Sequence, residues 1–454
     1  MRSFPDSGAR APIVLAPRVW RASDASAAAS LAPAAILRLT LLGLIISSLG
    51  RIPVFSTGER DAVVHVNDFL VLAVLLTGGL TMAWARRAWL DDVTLSCLLF
   101  AGIGLVAALL AGLKYGLTPF ELAVSVSYLV RWLFYFAIYV VAINVLRQRD
   151  VRPLYDSLET AILIFAAFGI VQSAFMPNFA LMVFPESRPY TDWDPQYHRL
   201  VSTILDPNFA GALILSVLLV QLAQLAVGMP VPVWKPLLLT GALLLTASRS
   251  SVLALLVAGL LILAVRGISR RLLRFGGVVL LAILIASPRL IEFAQAYNKL
   301  SLDDPSAMLR VVSWLRGLTI FLDNPIVGIG FNTYGFVQES YGWQRFGVGT
   351  YSIEGGLLFV LVTTGVVGLV AYFIMLWRAM ACARSVWRKR GIDSFSRALA
   401  IGAAAYTVAL VVHSGFTNSL FHPFLMEPMF VLWALTRVIR EEHRNGGVQA
   451  AAPG

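Results

Sequence analysis

The stretch Met308–Gly368, MLRVVSWLRGLTIFLDNPIVGIGFNTYGFVQESYGWQRFGVGTYSIEGGLLFVLVTTGVVG, decides how this chain folds. It is a polar and aromatic interlude between apolar runs long enough to cross a bilayer. The runs describe a membrane scaffold, and the interlude carries carboxylates, arginines and glycine turns that a scaffold does not require.

Composition extends that reading to the whole chain. Hydrophobic residues make up 58% of the 454 and charged residues 13%, and the mean hydropathy is +0.77. Too little polar surface remains to coat a water-soluble body of this size. The expected class is all-α and polytopic, with about twelve transmembrane helices and a long periplasmic loop containing short interfacial helices. The apolar runs lie near 34–50, 67–85, 93–113, 121–146, 157–178, 206–227, 233–247, 249–266, 272–288, 355–380, 397–414 and 423–439. Around 233–266 an arginine at mid-bilayer would be costly, so two short spans meeting at Ser248-Arg249 are expected there. Residues 1–33 read as a disordered cytoplasmic tail, 34–440 as one transmembrane domain and 441–454 as a second cytoplasmic tail.

The net charge of +11 does not indicate a nucleic-acid partner, because Lys and Arg fall in short clusters between apolar runs, as in Arg388-Lys389-Arg390. Roughly two-thirds of them sort onto one set of alternate loops, which predicts N-terminus and C-terminus inside. The loops 179–205 and 289–354 then face outward. Cys97 and Cys382 lie far apart and suggest neither a disulfide nor a metal site, and no phosphate-binding nucleotide motif is present.

Chemistry-bearing residues concentrate in the two outward loops. The second predicts an amphipathic helix over Ser306–Leu322, opened by Asp304-Pro305 and closed by Asp323-Asn324-Pro325. On it, Arg310 and Arg316 stand about 120° apart and could border one groove, or could snorkel to lipid phosphates. Gly328-Ile329-Gly330 is a weak phosphate-binding signal and more simply a tight turn. Glu354, at the start of a very apolar helix, is explained by the helix dipole or as a general base with raised pKa. The first loop ends in Arg199, then Asp206-Pro207-Asn208, where Asp206 suits an N-cap. Arg131, inside an apolar run, must pair with something. Arginine forks suit phosphate oxygens and aromatic faces suit sugars or an isoprenoid, so a lipid-linked phosphate donor used without a metal is the favoured substrate class.

The order of several short motifs resembles the O-antigen ligase and polymerase superfamily of bacterial membrane glycosyltransferases. They are Tyr128-Leu-Val-Arg131-Trp132, Gly169-Ile-Val-Gln172, Arg199 with Leu205-Asp206-Pro207-Asn208, Leu245-Thr-Ala-Ser248-Arg249-Ser250, Arg310-x-x-x-Trp314, Asn324-Pro-Ile-Val-Gly-Ile-Gly330 and Gly365-Val-Val-Gly368. The resemblance implies transfer of an undecaprenyl-diphosphate-linked glycan at the periplasmic face of the inner membrane. Arg199, Arg249, Arg310 and Arg316 would contact the diphosphate, Glu354 would be catalytic, and Arg131, Asn208, Ser248 and Trp314 would support them, with no cofactor. Partners implied are the glycan donor and acceptor and the bilayer, with a flippase and a chain-length regulator as candidates. Eleven residues ahead of Gly365, where ligases of the family carry a His-Asn pair, this chain has Glu354-Gly355. That difference favours polymerisation of exopolysaccharide or O-antigen repeats over ligation to lipid A core or protein. A lipid-linked oligosaccharide transporter is the alternative of another class, disfavoured by the absence of an internal repeat.

Overall fold

The computed structural model describes residues 53–56, 63–84, 89–183, 198–281, 305–343 and 353–450. The expected tail 1–33, the apolar run 34–50, and the parts of the two long loops at 184–197, 289–304 and 344–352 lie outside the described residues. A small antiparallel ribbon pairs β1 (Pro53–Ser56) with β2 (Val63–His65), and the other described elements are helical. In chain order the first six helices are α1 (Val66–Trp84), α2 (Asp92–Tyr115), α3 (Pro119–Val145), α4 (Gln148–Phe175), the short α5 (Phe179–Val183) and α6 (Pro207–Ala226). Next come α7 (Trp234–Leu245), α8 (Arg249–Arg266) and a helix α9 over 270–281. The last five are α10 (Pro305–Asp323), α11 (Tyr334–Ser340), α12 (Gly356–Arg388), α13 (Ser394–His413) and α14 (Pro423–Ala450). Seven of these are long and apolar enough to cross a membrane. The chain is a helical, multi-pass membrane protein. α14 continues through the 441–450 segment that was expected to be tail.

Helix starts are specified locally. Where hydrocarbon offers no water, the first N–H groups of a helix need a partner from the chain itself. Asp91 accepts from the Thr94 N–H, Thr118 and Glu121 form a reciprocal capping box ahead of α3, and Asp206 accepts from the N–H groups of Asn208 and Phe209. Asp206 thus has the capping role expected of it. Ser248 caps α8, so the 233–266 region is indeed two helices with a bend between them.

At the centre of the bundle are α6 and α13, both buried along most of their length. Small residues on α13 allow the close approach: a side chain at Gly402 would begin 2.6 Å from the Val220 Cα. Close backbone approach is how membrane helices gain packing energy when hydrophobicity no longer distinguishes protein from lipid. Around this pair stand α8, α12 and α14 against α13, with α2 against α12 and α3 against α14.

One helix is broken. Within α12, Gly365 has φ 65° and ψ −170°, and the regular helical hydrogen bonding stops there. Residues 325–330 run along the break and supply what the helix loses. The Ile329 and Gly330 N–H groups donate to the Val362 and Thr363 carbonyls at 3.1 and 2.8 Å, and the Pro325 and Ile326 carbonyls accept from the Val366 and Val367 N–H groups at 2.9 and 3.2 Å. The amides of the Gly328-Ile329-Gly330 turn are therefore committed to the protein, which removes the phosphate-loop reading of that turn. A side chain on Gly330 would start 2.5 Å from the Ala108 Cα, so the strap also seats against α2.

Loops gather at two opposite ends. One end joins 198–206, 246–249, 324–343, 353–356 and 414–422. At the other, the Trp89 N–H donates to Asn144, the Gln148 N–H donates to Glu442, and Arg437 pairs with Asp91, Asp92 and Glu441.

Gly365→Ala should lose roughly 3 kcal/mol or more of stability, because its Cβ would fall 2.1 Å from the Ile326 carbonyl oxygen in a conformation disfavoured for L-residues. Thermal unfolding in detergent measures this against Gly241→Ala, which meets nothing within 4 Å. Equal melting of the two variants would refute the role of the strap.

Candidate functional site

The site end is assembled on α10. It carries Arg310, Ser313, Trp314 and Arg316, the first three at i, i+3 and i+4 and so on one face. Ser313 Oγ accepts from the Glu354 N–H at 3.0 Å, and the Trp314 indole donates to the Glu354 carbonyl at 2.9 Å. The backbone of residue 354 is clamped from both sides, which fixes where its carboxylate starts. On the far side, the Gly356 N–H donates to the Ser414 carbonyl at 2.8 Å and lies 3.3 Å from that of Thr417. Gly355 between them has φ 101°, a conformation that side-chain-bearing residues disfavour.

Glu354 is half-buried. Burial pushes its carboxyl above the usual value, the Arg310 charge pulls it back down, and the Asp206 carboxylate pushes it up again. A carboxyl with this mixture of neighbours holds a proton more firmly than one in water, yet has a cation at hand to stabilise its ionised form. The neighbours come from α10 and from the start of α6, some hundred residues apart in the chain.

Beneath Glu354 lies a hydroxyl cluster that sequence reasoning missed. His413, fully buried at the end of α13, sets Nε2 3.0 Å from Ser250 Oγ and 3.1 Å from Ser251 Oγ, and Nδ1 2.5 Å from Ser419 Oγ and 3.1 Å from Thr417 Oγ1. Ser248 Oγ joins through Ser250 and Ser251, at 3.1 and 2.8 Å. One imidazole thus ties the capped start of α8 to the turn after α13. Arg310 lies close enough to act on both His413 and Glu354. The Ser-Arg-Ser-Ser run at 248–251 and the Thr-Asn-Ser run at 417–419 were visible in the sequence, but their meeting on a histidine was not.

The expected arginines separate into three groups. Arg249 is exposed at the first position of α8, held by the Ser248 cap. Arg199 is buried and donates its Nε to the Thr246 carbonyl at 2.8 Å, so it braces the bend from which Arg249 projects. Asn208 stands in the first turn of α6, where its carbonyl accepts from Ser251 Oγ at 3.3 Å. Asn208 lies two residues from Asp206, whose charge reaches Glu354, and Arg199 and Arg249 are joined through the 246–249 bend to the hydroxyls around His413. Arg316 donates to Gln338 Oε1 at 3.3 Å and lies over the Trp343 ring at 5.1 Å, on the α11 side. Arg131 is elsewhere again. Its Nε donates to Asp68 Oδ1 at 2.7 Å, and Tyr135 donates to the same oxygen at 2.8 Å, which supplies the pairing its position in an apolar run demanded.

Residues 237–373 match the family model of O-antigen ligase. The match supports membership of the O-antigen ligase and polymerase superfamily. Its span takes in α7, α8, α10, the 325–330 strap, Glu354 and the broken part of α12, whereas Arg131 and Arg199 lie outside it. No curated protein matches the chain. The family match supports ligase- or polymerase-type glycosyl transfer in general terms, and with it lipid-linked glycan substrates.

His413→Ala should cost about 2–4 kcal/mol, since at least three buried hydroxyls lose a partner at once, and His413→Gln should recover part of that. Thermal unfolding of both variants checks it, and an unchanged midpoint for the alanine variant would show that the cluster does not hold α8 to α13.

Proposed function

We propose that the protein polymerises undecaprenyl-diphosphate-linked oligosaccharide repeats into exopolysaccharide or O-antigen at the periplasmic face of a bacterial inner membrane. The observation that carries this reading is Glu354: a half-buried carboxyl of raised proton affinity, beside Arg310, within the segment that matches the family. In the proposed reaction an acceptor hydroxyl attacks the anomeric carbon of the donor glycan. Its proton passes to Glu354, the new C–O bond forms, and the bond to the diphosphate breaks. Arg310 and Arg249 stabilise the charge that develops on the leaving diphosphate, a role that arginine fills without a metal. Arg199 acts by bracing the 246–249 bend, and Arg316 supports the more distant part of the donor. A single in-line displacement inverts the linkage.

The clamp on the backbone of residue 354 supports this role, because a base serves catalysis only when held at a fixed distance from its proton. The second reading is a ligase that moves the glycan to lipid A core or protein, favoured by the description of the matching family. Polymerisation is preferred because an acid occupies the position where ligases of the superfamily carry histidine. A deletion strain separates the two: loss of a polymerase leaves single lipid-linked repeats, and loss of a ligase leaves long lipid-linked polymer.

Glu354→Gln should abolish polymer while leaving membrane insertion intact, and Arg249→Lys or Arg310→Lys should lower the rate roughly 100-fold by losing the planar fork. Polymer of normal length from the glutamine variant would remove Glu354 from the mechanism. The pH dependence provides a separate check. A base works only when ionised, so the acid limb of the rate profile should lie above the ordinary 4.5 of a glutamate. Arg310→Gln should move that limb to higher pH by removing a cation that favours the carboxylate, and Asp206→Asn, which keeps the cap, should move it lower.

A further inference from the structure

A cavity of about 220 Å³ opens between α3, the corner at 331–332, α12 and the 414–423 turn. No step of the proposed transfer uses it. Its lining includes the aromatic side chains of Trp132, Phe331 and Phe421 and the polar ones of Arg131, Asn332 and Asn418.

The indole of Trp132 is the informative group. Trp132 is only 3% exposed, and its Nε1 has no hydrogen-bond partner among the described residues. A buried donor left unmatched is costly enough to be rare, and here it belongs to the wall of a cavity. The ring is held by Phe100, Phe136 and Phe421, with centroids at 5.2, 6.3 and 6.3 Å, so it is packed on several sides rather than free to turn. An acceptor oxygen on a bound molecule would satisfy it.

The remaining walls indicate the kind of molecule. The charge of Arg131 is balanced by Asp68, which lies 2.7 Å away, so the cavity is not built to take a phosphate. Aromatic faces suit the C–H face of a sugar ring. The Asn332 amide offers both a donor and an acceptor, as neighbouring hydroxyls require. Asn332 has φ 58°, a left-handed conformation that asparagine tolerates and that sets its position at the corner after the strap.

The cavity is linked to the candidate base through the chain. Phe359 in its wall is five residues beyond Glu354, and Thr417, next to Asn418, presents its carbonyl 3.3 Å from the Gly356 N–H. Resting on the glycosyl-transfer reading of the site, we propose that this cavity is a saccharide subsite. It holds one neutral sugar ring of the glycan substrate, with the Trp132 indole donating to a ring or hydroxyl oxygen and Asn332 bonding adjacent hydroxyls.

Saturation-transfer NMR on the full-length protein in nanodiscs tests this, with methyl glycosides of hexoses, N-acetylhexosamines and 6-deoxyhexoses as probes. At least one glycoside should receive saturation. Its affinity should fall about 5- to 10-fold in Trp132→Phe, which keeps the ring and removes the donor, and in Asn332→Gly, which keeps the left-handed backbone and removes the amide. Should the tryptophan variant fail to fold, the asparagine variant carries the test alone. No binding up to about 50 mM, beyond the millimolar range expected for single-ring ligands, or binding unchanged in every folded variant, would overturn the subsite. Glu354→Gln separates the two readings: glycoside binding kept while transfer is lost supports both. Binding kept with transfer also kept removes the catalytic role of Glu354 and leaves the subsite standing.

Discussion

The break in α12 at Gly365 is the constraint on which the rest of the site end depends. A helix interrupted in hydrocarbon must find other partners for its freed carbonyl and N–H groups, and here the turn segment 325–330 provides four backbone hydrogen bonds. Satisfying the break therefore fixes the path of the chain between α10 and α11. It anchors the end of α10, where Asn324 bonds the Tyr115 hydroxyl at 2.7 Å and accepts from Lys114 at the same distance. With α10 anchored at that end, Ser313 and Trp314 can hold the backbone of Glu354 at the other side of the same helix.

A second consequence concerns electrostatics. The site end brings Glu354, Arg310 and a buried histidine within reach of one another in a protein that is mostly apolar. Such groups are tolerable there because each is tied to backbone or to hydroxyls: Arg199 to the Thr246 carbonyl, His413 to four hydroxyls, Glu354 to α10 through its own peptide. Rigid placement of this kind is what a charged leaving group needs, since dipoles and cations set beforehand do not have to reorganise during reaction. Phe359, in the wall of the cavity around Trp132, follows Glu354 by five residues, so one piece of chain carries both the acid and part of that wall.

Much of the scaffold was legible from the chain alone. Apolar runs marked the helices, Asp206-Pro207 and Ser248 marked two of their starts, and the Arg249 argument correctly divided 233–266 in two. The limits were equally physical. The glycines at 328 and 330 suggested either a turn or a phosphate loop, and only the neighbour they pack against, Val362 to Thr364, showed that their amides were already used. Helical spacing allowed Arg310 and Arg316 to share a groove. Rotation about the axis does not determine what stands opposite each face, and only the fold places Gln338 and Trp343 against Arg316. His413 had no recognisable spacing because its four hydroxyl partners come from α8 and from a turn, and no period in a sequence encodes such a meeting.

What the sequence by itself determined was the medium and the material: a helical chain for a bilayer, many of its helix ends, and the family resemblance. These follow from local composition and from residue order, which no folding step alters. What only the tertiary structure decided was which of the polar residues act together. Asp206, Arg310 and Glu354 are separated by long apolar stretches, and their shared field exists because α6, α10 and the start of α12 converge. The unmatched indole of Trp132 is of the same kind: whether a buried donor has an acceptor depends on every neighbour at once, and that is a property of packing rather than of any stretch of chain.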